Sequence, residues 1–166
     1  MNTRTSVILL LTAIITTISF SCSEKKGPSN KLVVEKKEPV TFEQAVKDWR
    51  TNKGVGPITS LQLDAIDETM VAKGQELFDF NCTACHLPYS EKIGPALLGI
   101  TERRTPEWIV NMILNPVEMA KTDPICLGLL AQFNTVMADQ NLSQEEARSI
   151  LEYFRTLNID NAPDPS

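Results

Sequence analysis

The sequence predicts an all-α domain between residues 65 and 158, and three observations predict it. Ser143-Gln144-Glu145-Glu146 reads as a capping box, with Ala147, Ile150, Leu151, Phe154 and Leu157 following on one helical stripe. Thr105-Pro106-Glu107 starts another helix: a hydroxyl cap, a proline where its missing N–H costs nothing, and a carboxylate near the positive helix end. Asp67 to Phe80 reads as a third, with Met70 or Val71, Leu77 and Phe78 giving a partly apolar face.

In chain order, the first segment is a targeting signal rather than a fold element. Arg4 precedes an apolar run from Val7 to Phe20. The run is shorter than the about 20 residues a membrane-spanning helix needs and fits a signal-peptide core over 1–21. Ser21-Cys22 at its end resembles a bacterial lipoprotein signal, although Ser19 stands where a leucine is usual. That resemblance implies lipidation at Cys22. Residues 22–64 read as a polar tether, rich in Lys and Glu and punctuated by Gly27-Pro28 and Glu38-Pro39. Fully flexible, it would reach about 35 Å. Within it Phe42, Ala45, Val46 and Trp49 fall at helical spacing behind Thr41, so a short docked helix is expected at 41–49, broken by Gly54-Val55-Gly56-Pro57. Residues 159–166 read as a flexible tail.

Inside the domain, Gly74 sits in a helix, where glycine costs about 1 kcal/mol against alanine. Close approach of the C-terminal helix is the natural compensation, with Phe78, Leu151 and Phe154 at the crossing. In the middle helix, Trp108, Ile109, Met112 and Ile113 form an apolar face that Asn115-Pro116 ends. Cys126, between apolar residues, reads as a small buried side chain in a short helix.

The chemistry is carried by Cys82-Thr83-Ala84-Cys85-His86. A C-x-x-C-H run is the attachment pattern of a c-type haem. Two thiols add across the two vinyl groups, and the adjacent imidazole reaches the iron. His86 is the only histidine of the chain, which excludes a two-histidine iron site within it. A structural zinc site needs four Cys/His ligands, and the available set is Cys82, Cys85, His86 and the distant Cys126. A thioredoxin-like dithiol expects βαβ surroundings, whereas these flanks are helical.

From Asp67 to Leu157 the chain resembles a class I cytochrome c. The resemblance rests on Gly74 and Phe78, 12 and 8 residues before His86, on Ile93-Gly94-Pro95-Ala96-Leu97-Leu98-Gly99 after it, and on the capped last helix. It implies a small all-α cytochrome c fold packed around one covalently attached haem c. Pro95 would then accept the His86 Nδ1 proton, and Met137, in the loop before the last helix, would be the sixth ligand. Met119, read as lying in a turn after Asn115-Pro116, is the lesser candidate. The family often has proline beside this methionine, whereas Thr135-Val136-Met137-Ala138-Asp139 has none, which makes the loop less rigid. Trp108, Arg103 and Arg104 are candidate partners of the haem propionates, beside plainer roles in the core or in solvent.

Function follows as an expectation. A six-coordinate His/Met haem suits a one-electron carrier in the periplasm, tethered to a membrane and exchanging electrons with a reductase, an oxidase or a quinol-oxidising complex. No nucleophile–base pair or carboxylate constellation indicates catalysis. From Ala65 onward 15 acidic side chains face 7 basic ones, a net charge of −8 that favours a basic partner and argues against nucleic acid. The competing expectation is a haem sensor or peroxidase-like enzyme with a labile distal ligand.

Overall fold

The computed structural model describes residues 39–157, and regular structure among them is entirely helical. The signal segment, Cys22, most of the lysine-rich tether and the tail lie outside the described residues. The helices are α1 Phe42–Lys47, α2 Glu68–Asn81, α3 Ile100–Arg103, α4 Pro106–Leu114, α5 Pro116–Thr122, α6 Pro124–Phe133 and α7 Gln144–Thr156, with a 3-10 turn at Trp49–Thr51. No helix among them is long and apolar enough to cross a membrane.

Each start is set locally. Ser143 and Glu146 form the expected capping box of α7, and Thr105 caps α4 through the Trp108 N–H. Asp67 accepts from the Thr69 and Met70 N–H groups at the head of α2. Prolines occupy the first turn of α4, α5 and α6, where no backbone donor is lost.

The α2–α7 crossing organises the domain. A Cβ built on Gly74 would lie 1.9 Å from the Ser149 carbonyl oxygen, so only glycine lets the two backbones approach this closely. Below the crossing Phe78 packs on Tyr153 and, edge-on, on Phe154, at centroid distances of 5.5 and 5.7 Å. Phe78, Ala147, Ile150 and Leu151 are fully buried. On the far face of α7, Glu152 is buried between Arg148 and Arg155, and Arg155 also donates to the Asp64 carbonyl.

The N-terminal flank differs from a free tether. The expected short helix is there as α1, with a capping box between Thr41 and Gln44, and the Phe42 ring lies over Gly128 of α6. Beyond it, residues 49–63 form a strap across α4 and α5. The Asn111 side chain donates to the Lys53 and Ile58 carbonyls and accepts the Ile58 N–H, at 2.8–2.9 Å. Gly56 leaves room for that amide; its Cβ would sit 2.3 Å from Asn111 Oδ1. Thr105 Oγ1 donates to the Asn52 carbonyl at 2.6 Å, and the Leu61 N–H donates to Glu107. Ile58, Leu61 and Leu63 pack on the core. The strap is ordered because buried side chains satisfy its backbone groups, which a free linker would leave to water.

Glu107 gives this strap a pH dependence. Burial opposes its charge, but its own backbone N–H, Lys53 and the Leu61 N–H outweigh that and hold the carboxyl below its ordinary 4.5. A depressed folded pKa stabilises the protein above the unfolded value and loses that stability as pH falls through the folded one. The urea midpoint is therefore expected to decline below about pH 4.5. In Glu107→Gln this part of the decline should flatten, at a loss of about 1–2 kcal/mol at neutral pH.

Candidate cofactor site

One cavity, lined mainly by apolar side chains of α2, α4, α6 and α7, holds the predicted site residues together. Cys82, Cys85, His86 and Met137 all line it. The C-terminal end of α2 delivers the first three. Cys82 N–H closes α2 on the Phe78 carbonyl, and the Cys85 and His86 N–H groups both turn back to the Cys82 carbonyl. The Ile93 and Gly94 N–H groups then bond the Cys85 carbonyl, folding the following turn under the motif.

That turn fixes the imidazole. His86 Nδ1 lies 3.0 Å from the Pro95 carbonyl oxygen. A carbonyl can only accept, so the proton is on Nδ1 and the Nε2 lone pair remains for a metal. Gly94 lets the ring settle flat against the turn: a Cβ there would be 2.4 Å from the imidazole. Burial, with Cys85 adding to it, pushes the Cys82 thiol up to about 11.

Met137 comes from the segment between α6 and α7. This loop is bounded by Asn134 and Asn141, both in left-handed conformation at φ 52° and 53°. Among the described residues no backbone–backbone hydrogen bond involves 135–142. The loop's own bonds are internal: Gln140 to the Ala138 carbonyl, and the Asn141 N–H to Asp139. Its residues Thr135, Val136, Met137, Ala138 and Gln140 line the cavity, with Met137 and Gln140 half-buried.

The other candidates take the following places. Met119 is not in a turn; it is fully buried in α5, its sulfur accepts the Val55 N–H at 2.9 Å, and it does not line the cavity. Trp108 does line the cavity, but its indole N–H donates to Asp123 Oδ1 at 3.1 Å. Arg103 is not merely solvated: its guanidinium donates to the Leu98 and Ala96 carbonyls and ties down the turn after Pro95. Arg104 is 8% exposed, lines the cavity, stacks over Trp108 and keeps an Nε that has no partner among the described residues. Cys126 is buried in α6 as expected, and its thiol donates to the Met112 sulfur at 3.4 Å. Burial and the nearby Asp123 carboxylate push that thiol upward, keeping it protonated.

These residues fit a haem. The cavity is apolar, two thiols and a metal-ready imidazole open into it, and a buried guanidinium with an unpaired N–H meets the need of an apolar ring that carries carboxylates. What local patterns did not reveal is Gln140, which lines the cavity, and Asp123, which holds the Trp108 indole, because both roles depend on contacts distant in sequence.

The cytochrome c family model matches residues 71–158. Among solved structures, cytochrome c from Rhodothermus marinus is similar at 42% identity and a TM-score of 0.60, covering 61% of this chain and 89% of that one. An engineered form, Rma TDE, is similar at 41% identity and a TM-score of 0.60, over 61% and 90% of the two chains. The same engineered protein bound to a carbene intermediate matches at 41% identity and a TM-score of 0.57, over 61% and 89%. No curated protein matches the chain.

Proposed function

The chain belongs to the cytochrome c family and carries one covalently attached haem c, and on that premise we propose that it is a membrane-tethered one-electron carrier with iron held between His86 and Met137. When bound, the haem supplies a single ferrous–ferric couple. Cys82 and Cys85 hold it through thioether bonds, and His86 binds through Nε2, oriented by Pro95. Met137 would supply a thioether as the second protein ligand to the iron. A thioether ligand and an apolar lining favour the less charged ferrous state and raise the potential. The observation that carries the reading is the meeting of a Pro95-oriented His86, both thiols and Met137 in one cavity.

The setting is the periplasmic side of the cell envelope, with Cys22 lipidated. What supports it is the apolar run before Cys22, together with a haem motif whose thioethers are made outside the cytoplasm. A periplasmic reductase, an oxidase or a quinol-oxidising complex presenting a basic patch is the partner class that suits the acidic domain.

A second reading, a haem sensor or peroxidase-like enzyme, draws on the Met137 loop, which has no backbone hydrogen bond to the body. Absorption spectra separate the two. A carrier shows the weak red-edge charge-transfer band of sulfur-ligated ferric haem, and its ferrous form binds carbon monoxide slowly. Rapid carbon monoxide binding without that band would instead support the sensor or enzyme.

A further inference from the structure

We propose that the strap over residues 49–63 is coupled to the haem cavity, with Asn52 as a positioning residue that keeps the Arg104 guanidinium turned toward the haem and so raises its reduction potential. The proposal rests on the haem reading above and adds a control element to it.

The coupling runs through Asp123. This carboxylate is 2% exposed, so its charge has to be met by hydrogen bonds. Oδ1 accepts three: the Trp108 indole N–H at 3.1 Å and the Ile125 and Cys126 backbone N–H groups at 3.0 and 2.9 Å. Oδ2 accepts from Asn52 Nδ2, at 2.8 Å, across 71 residues of sequence. One strap side chain thus helps solvate a buried charge that holds Trp108, a residue of the cavity wall.

Arg104 is the other half. Its guanidinium stacks on Trp108, the side chain that Asp123 holds, and Asp123 acts on it electrostatically as the carboxylate does on any nearby cation. Its Nη1 donates to the Arg103 carbonyl, and among the described residues its Nε, on a side chain that lines the cavity, has no partner. The strap grips the same place a second time, because the Asn52 carbonyl accepts from Thr105, the residue next to Arg104.

The sign follows from charge. Without the Asn52 amide, the buried Oδ2 loses a donor, and Arg104 is drawn to it and away from the cavity. Less positive charge then faces the haem, the ferric state is relatively favoured, and the potential falls. A contact that lifts the strap would have the same effect, making the carrier a weaker oxidant.

The test is a redox titration of the haem-loaded, full-length protein. Asn52→Ala is expected to lower the midpoint potential and Asp123→Asn, which removes the charge competing for Arg104, to raise it. In an Arg104→Gln background, already low in potential, Asn52→Ala should produce no further shift. If Arg104→Gln does not fold, Arg104→Lys serves, with the Asn52 effect reduced rather than absent. An Asn52→Ala protein that loses urea resistance but keeps its potential would overturn the proposal, as would an undiminished Asn52 shift in the Arg104 variants. Wild-type protein without covalent haem would overturn the premise instead, a failure that a haem stain on a denaturing gel identifies separately.

Discussion

Gly74→Ala is expected to destabilise the haem-loaded protein by about 2–3 kcal/mol, although alanine is the better helix former by about 1 kcal/mol. The new methyl would meet the Ser149 carbonyl at 1.9 Å, a contact with backbone that no rotamer can relieve. α2 and α7 must then separate by more than an ångström. That loosens the packing of Phe78 on Tyr153 and Phe154 just below. Because α2 leads directly into Cys82, the displacement reaches the haem attachment turn. Urea unfolding followed by helix circular dichroism gives the cost, and the haem absorption transition should coincide with it. A change smaller than about 1 kcal/mol, or a gain, would mean that the crossing is not the tight contact described.

What the sequence made legible were features whose partners lie within one turn. The Thr41 cap, the capping box at Ser143, the Thr105-Pro106 start and the α2 run into the haem motif are all local, and all formed. Gly74 and the His86–Pro95 pair were legible at longer range because a mid-helix glycine and the resemblance to a known family pointed to them. The strap was not. Its hydrogen bonds join residues 46 to 71 positions apart, through Asn111, Glu107 and Asp123, polar residues that read as surface on a helix. Asn52-Lys53-Gly54 reads equally as linker until those partners are known. Its apolar Ile58, Leu61 and Leu63 were the available signal. Met119 was misplaced for another reason. Asn115-Pro116 was read as the end of one helix, and it is also the start of the next, with proline in the first turn. That puts Met119 on the buried face of α5, with its sulfur committed to Val55.

Met137→Ala has the largest expected effect on the iron. The Met137 loop has few ties to the body, since among the described residues no backbone–backbone hydrogen bond involves 135–142. Its closed position therefore depends on the half-buried Met137 and Gln140 against the cavity, and on the sulfur–iron bond proposed for Met137. Removing the thioether should abolish the red-edge band and lower the potential, because a thioether ligand favours ferrous iron. It should also open the distal position. If the open form of the wild type is populated at about 0.1–10%, apparent carbon monoxide affinity rises by roughly 10- to 1000-fold in the variant. Met119→Ala is the contrasting case: its sulfur faces Val55 rather than the cavity, so the band should persist while stability falls by about 2–5 kcal/mol. Ala138→Pro acts in the opposite direction on the loop. Proline is compatible there only if the loop backbone already has the required φ, but Ala138 gives up no backbone hydrogen bond, so stiffening costs no donor. Slower carbon monoxide binding in Ala138→Pro, with the band intact, would tie the accessibility of the iron to this loop. Loss of the band in Met119→Ala rather than in Met137→Ala would transfer the sixth-ligand assignment and remove the basis for treating the loop as the distal cover.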